Sequence, residues 1–282
     1  MRRNPLWGAL PLMAQMLGRK LGVKVEIGGD EAYTDGQTIH LPGLPLAGKP
    51  LEILANGFID HEAAHVRYTD FTIPVPPGLA KLLTNLLEDI RIEQALGRDY
   101  PGSRHNLAAL VDYLEQNPDE STPLITEPSV VAQVLDALHQ LLRARVLRQG
   151  LLAAQAEALE ARLDALLPEG TVIKLLALAF EVRHAASTTA VRDLALRIVE
   201  MLKEEEAAAK ASMPPAPPDR PCAAASASSL DADADTPRQE AQASAEKAAH
   251  RTAASGSSPA AGAAEPKGSP LTTYQFLITG QI

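Results

Sequence analysis

Residues 57–71 read GFIDHEAAHVRYTDF. Two histidines, His61 and His65, stand four apart with Glu62 after the first, in a stretch whose apolar residues recur at helical steps. Side chains four apart on a helix lie one above the other, so both imidazoles can address a single point. Leu51, Leu54 and Phe58 continue their line toward the N-terminus and put the pair on the buried side. Two imidazoles buried there need partners, because an unsatisfied polar group costs on the order of a few kcal/mol.

A metal ion supplies such a partner. Zinc takes two imidazole nitrogens from one helix readily, and in sites that activate water it keeps one coordination position open. Glu62, one step round from the histidines, is then placed to act as the catalytic base that takes a proton from water instead of binding the ion. A structural zinc site gains nothing from a glutamate at that spacing. The expectation is a Zn2+ site held by His61 and His65, with Glu62 catalytic.

A third ligand is needed, and NLLEDIRIE at 85–93 offers it. On a helical wheel Leu79, Leu82, Leu83, Leu86, Leu87 and Ile90 form the apolar face of this segment. Asp89 and Glu93 flank that face, whereas Glu88 points nearly opposite its centre. Asp89 is therefore the first choice as ligand, with Glu93 in support one turn on and Glu88 as the alternative. Asp60 and Asp70 flank the histidine motif, where they either orient the imidazoles or end the helix. Tyr68, Tyr100 and His105 are candidate donors to a developing oxyanion. The strand TIHLP, 38–42, is expected to be a sheet edge along which a peptide substrate lies, with His40 on it as a surface residue.

The rest of the chain frames these segments. MRRNPLWGALPLMAQMLGRKLG reads as an amphipathic helix, with Leu10, Met13, Leu17 and Leu21 on one face, and not as a secretion signal. VKVEIGG and YTDGQTIHLPG read as short strands of a small sheet. Pro50 starts the histidine helix, and the acidic helix stops near Gly97 and Pro101. Trp7, Tyr33, Phe58, Tyr68, Phe71, Tyr100 and Tyr113 concentrate the aromatic residues early, which places the best-packed unit near the N-terminus. From about 105 to 206 the pattern is helical almost throughout, with breaks near Gly150, Gly170 and Ser187. Residues from about 208 to 270 are rich in Pro and Ala and poor in large apolar side chains, the composition of a disordered linker. LTTYQFLITGQI, 271–282, regains apolar character.

Composition excludes several classes of function. A formal charge of −9 without a block of Lys and Arg argues against nucleic acid as a partner. A single cysteine, Cys222, allows neither an intrachain disulfide nor a cysteine-based metal site, which suits the cytoplasm. No apolar run reaches the length needed to span a membrane.

Taken together, YTDGQTIHLP, DHEAAHVRYTDF and NLLEDIRIE resemble the N-terminal metallopeptidase-like domain of CobT-type proteins, named after the cobaltochelatase subunit of cobalamin biosynthesis. The resemblance covers about residues 20–120 strongly and the following helices loosely. It implies an α+β, mostly α fold: a small zincin-like sheet with an HExxH helix and an acidic helix (1–120), a helical bundle (121–207), the disordered linker (208–270) and a short terminal segment (271–282). It also implies Asp89 as ligand, since related zincins place an Asn four residues before the ligand Asp and Asn85 stands there; other zincins use Glu, which keeps Glu88 open. Proteins of this type continue into a von Willebrand factor A domain with a D-x-S-x-S motif and work beside a MoxR-like AAA+ ATPase. No such motif follows here, so the resemblance implies a chain without that domain. The expected function is a zinc metallopeptidase acting on a peptide or protein substrate; the alternative is a non-catalytic adaptor of a cobaltochelatase-like complex with such an ATPase, or a truncated, inactive remnant.

Overall fold

The computed structural model describes residues 5–29, 31–45, 48–117 and 129–212. Helix α1, Pro5–Gly18, is followed by strands β1, Lys24–Ile27, β2, Tyr33–Thr34, and β3, Thr38–Leu41. Helices α2, Lys49–Tyr68, α3, Leu79–Asp99, and α4, Pro101–Gln116, complete the first half. The second half holds α5, Val130–Leu142, a π-turn over Arg143–Leu147, α6, Gly150–Leu166, α7, Thr171–Ala179, a 3-10 turn over Phe180–His184, and α8, Thr188–Ser212. Thus α8 runs five residues into the stretch read as linker from 208; the remainder of that stretch and the segment 271–282 lie outside the described residues.

The three strands form one sheet in the order β1-β3-β2, with β1 parallel and β2 antiparallel to β3. This corrects the expectation that TIHLP is an edge. Strand β3 is central: Lys24 to Ile27 pair with Thr38 to Leu41 on one side, and Tyr33 and Thr34 pair with His40 and Ile39 on the other. The turn between β2 and β3 brings β2 back along the flank that was expected to be open, and Asp35 Oδ1 accepts the Gln37 and Thr38 amides at 2.7 Å to hold it. Ile39 and Leu41 alternate inward along β3 and are fully buried, as a strand with one face on a core requires.

Helix α2 has Pro50 in its first turn and packs on α1, α3 and α4. Gly57 permits the approach of α4: a Cβ there would lie 2.5 Å from Leu110 Cβ. The helices are drawn together one turn before His61, and the absent side chain fixes how closely.

Two main apolar clusters result. One gathers Leu10, Leu17, Ile39, Leu41, Leu51, Phe58 and Leu110 around the sheet, α1, α2 and α4. The other runs from Leu83, Leu86 and Ile90 of α3 through α5, α6 and α7 to Leu194 and Ile198 of α8, and it is the larger. The larger core therefore lies outside the aromatic-rich N-terminal part: Leu, Val, Ile and Ala fill it, with Phe180 packed against it. Leu21, expected on the buried face of α1, lies beyond the helix end and is 91% exposed. Helix α3 packs against α2 and α4 on one side and α5 and α8 on the other. That position buries Leu83 through Glu93 without interruption, charged residues included. No described helix is long and apolar enough to cross a membrane.

Candidate metal centre

His61, His65 and Asp89 come together. One ligating atom from each lies within 4.8 Å of the other two, and all three residues are buried. His65 Nε2 is 3.2 Å and His61 Nε2 is 3.9 Å from Asp89 Oδ1. Ligand atoms around a tetrahedral zinc with bonds of about 2.0–2.1 Å stand about 3.3 Å apart, so the three positions suit such an ion after small side-chain adjustments.

The remaining nitrogens decide the chemistry. His61 Nδ1 is 2.9 Å from Glu93 Oε1, and a carboxylate can only accept, so Nδ1 carries the proton. His65 Nδ1 is 3.0 Å from Thr69 Oγ1, whose own hydroxyl donates to Glu88 Oε1 at 2.9 Å. Thr69 thereby accepts from His65, and that ring is also protonated at Nδ1. Both Nε2 atoms consequently face the Asp89 carboxylate, where each ring in its neutral form presents a lone pair. Asp89 Oδ2 is buried without a hydrogen-bond partner among the described residues. Two imidazole nitrogens and Asp89 Oδ1 at one buried point, with Oδ2 of the same carboxylate lacking such a partner, form a donor set that a divalent cation completes.

The electrostatics agree. Burial alone would lower the pKa of His61, but the Glu93 hydrogen bond and the charges of Asp89, Glu93 and Glu62 outweigh it and raise it to about 9. The same field favours a metal ion at this place, and binding of the ion displaces the proton that His61 Nε2 otherwise holds at neutral pH. Glu62 is 3% exposed, and burial pushes its pKa up against the opposing charges of His61 and His65.

Each imidazole is backed by a carboxylate of α3 that an arginine holds. Arg143 donates to Glu93 through Nη1 at 3.0 Å and Nη2 at 2.7 Å, and Gln149 Nε2 adds a bond of 3.2 Å. Burial would raise the pKa of Glu93, but Arg143 and the His61 bond overcome this and hold it well below the usual carboxylate range. Arg143 is itself fully buried and donates Nε–H to His139 Nε2 at 3.1 Å. Glu88 is gripped by Arg91 at 2.6 and 2.8 Å and accepts from Thr188 Oγ1 at 2.8 Å. Glu88, which the wheel turned away from the apolar face, is thus fully buried, because α8 covers the other side of α3. It faces Arg91 and the two threonines, and Asp89 is the acid directed at the imidazoles.

Other expected contributors make their contacts elsewhere. Asp60 accepts from Asn106 at 2.9 Å, and burial, opposed by that bond, raises its pKa to about 6. Asp70 closes its own turn through Thr72. Neither orients an imidazole; Glu93 and Thr69 do that. The Tyr68 hydroxyl donates to Asp99 at 2.9 Å, and its pKa is pushed up to about 12 by burial and that acceptor. Tyr100 lies beneath the Arg67 guanidinium, and His105 bonds the Pro101 carbonyl on the surface. His40 is half-buried and stacked on Tyr33 with ring centroids 4.3 Å apart.

Arg143, Gln149, Thr69, Thr188 and Arg91 were not singled out from the sequence. A signal existed for one of them: His139 and Arg143 stand four apart on the line of Leu135 and Leu142, polar residues on an otherwise apolar face.

The comparisons with known proteins give a single finding. No curated protein and no solved structure matches the chain. The family model for cobalamin biosynthesis protein CobT matches residues 2–269, nearly the whole sequence. With that extent of match, the chain belongs to the family of cobalamin biosynthesis protein CobT.

Proposed function

We propose that this member of the CobT family is a zinc-dependent hydrolase of peptide bonds, with His61, His65 and Asp89 holding the ion and Glu62 as the catalytic base. The observation that carries the reading is the convergence of His61 Nε2 and His65 Nε2 on Asp89 Oδ1, in a carboxylate whose other oxygen lacks a partner among the described residues, with a raised-pKa glutamate beside them. Bound zinc supplies Lewis acidity to water and to a substrate carbonyl. Glu93 and Thr69 keep both rings in the tautomer whose Nε2 faces inward. Glu62, made more basic by its surroundings, takes the proton from the attacking water and returns it to the leaving amine. Its raised pKa matches both halves of that task better than an ordinary carboxylate would.

The test is hydrolysis of unstructured protein substrates by purified wild type and Glu62→Gln, each with its zinc content measured. The expected outcome is cleavage by the wild type and loss of at least about a hundredfold in Glu62→Gln at equal zinc. Cleavage at equal rates in the two proteins removes Glu62 from the mechanism.

A second reading rests on the burial of the centre, where His61, Glu62 and His65 are 3–5% exposed. Here the metal stabilises an adaptor that docks a MoxR-like AAA+ ATPase within a cobaltochelatase-like complex. Wild type that retains zinc and cleaves no substrate favours it.

A further inference from the structure

We propose that a cavity beside Glu93, lined by Arg98, Arg104 and Arg148, binds a phosphate-bearing small molecule. The cavity has a volume of about 320 Å³ and lies between the last turns of α3, the first two turns of α4 and the end of the π-turn with the two residues after it. Its size falls at the lower end of small-molecule sites.

The arginines carry the inference. All three are exposed, and the side chain of none makes a hydrogen bond or ion pair with a described residue. Exposure does not explain this, because Arg145, Arg162 and Arg197 are exposed as well and each holds a carboxylate. In a chain of net charge −9, three guanidiniums share one cavity without an acid to offset their repulsion. Among the described residues Glu93 is the one acid lining it, and its oxygens are already taken by Arg143, Gln149 and His61.

Two backbone features hold the arginines in place. Arg148 has φ +56, in the left-handed region that favours glycine, so a long charged side chain is kept there against local preference. Gly97 opens the wall for Arg104: a Cβ at 97 would lie 3.3 Å from Arg104 Cβ.

Charge balance selects the ligand. A carboxylate offsets one of three guanidiniums, whereas a phosphate monoester dianion offsets two and accepts their paired N–H groups bidentately. Leu107, Ala108 and Val146 line the same cavity and provide an apolar wall for the organic part of an ester. No proposed metal ligand lines the cavity, and the proposal does not need the zinc reading.

Calorimetric titration of the full chain with phenyl phosphate, inorganic phosphate and benzoate at fixed ionic strength tests the proposal. One phenyl phosphate is expected to bind per chain, with benzoate at least about tenfold weaker. Arg148→Gly, which relieves the backbone, and Arg104→Gln are each expected to weaken phenyl phosphate by about tenfold or more. Inorganic phosphate binding as tightly as the ester supports the site with free phosphate as ligand; weaker binding supports an ester. Absence of saturable binding, equal affinity for benzoate, or affinity unchanged in both variants overturns the proposal.

Discussion

The two histidines of the centre are supported differently, although both supports end on α3. His61 meets the Glu93 carboxylate directly, and Glu93 depends on Arg143, the first residue of the π-turn, and on Gln149, which caps α6. His65 meets a neutral hydroxyl, Thr69, and reaches the Glu88 carboxylate only through it, with Arg91 from the same helix and Thr188 from α8 beyond. A carboxylate in direct contact raises the basicity of an imidazole, while a hydroxyl mainly fixes its tautomer and orientation. The difference teaches that one side of the centre is tuned by charge brought in from the helical half, and the other is held by local geometry.

Removing Arg143 should break this comparison most severely. Arg143→Ala leaves Glu93 as a buried charge without its bidentate partner and is expected to cost about 3–5 kcal/mol in urea unfolding. A loss below about 1 kcal/mol would show that Glu93 does not rely on it.

Metal affinity sharpens the contrast. Glu93→Gln should weaken zinc binding by roughly 10–100-fold in a chelator competition, with Thr69→Val at or below the lower end of that range. The opposite order would mean that the hydroxyl relay matters more than the direct carboxylate.

Acid should separate the two sides as well. Burial and the neighbouring Arg143 charge hold His139 well below its ordinary pKa, so it stays neutral in the fold and protonates on unfolding. Below about pH 6.5 the unfolded chain therefore binds the extra proton, and stability falls as pH falls. Wild type should lose unfolding free energy from pH 7 to pH 5 more steeply than His139→Gln; identical slopes would contradict this. The smallest effect belongs to the outer end of the His65 side. Thr188→Val should lower stability by about 1 kcal/mol, read from thermal unfolding, and leave zinc content unchanged.

How far the sequence disclosed this arrangement follows the distance over which each feature is set. The helical spacing of His61 and His65 and the wheel position of Asp89 are local, and one element each sufficed to read them. Glu93 was legible as a support for the same reason. Glu88 was misplaced because a wheel assumes one buried face, whereas α3 is enclosed by α2 and α4 on one side and α5 and α8 on the other. Arg143 and Thr188 are 50 and 100 residues from the acids they serve, and only tertiary packing joins them. The rank of β3 in its sheet was lost for a similar reason: pairing order is not written in the alternation of a strand.

Elemental analysis of purified protein tests the centre most directly. Wild type should carry about one zinc per chain, and Asp89→Ala and His61→Ala, shown to be folded by circular dichroism, should carry essentially none. Equal zinc in wild type and folded Asp89→Ala, or none in the wild type after zinc is supplied, would contradict the assignment of these residues as ligands.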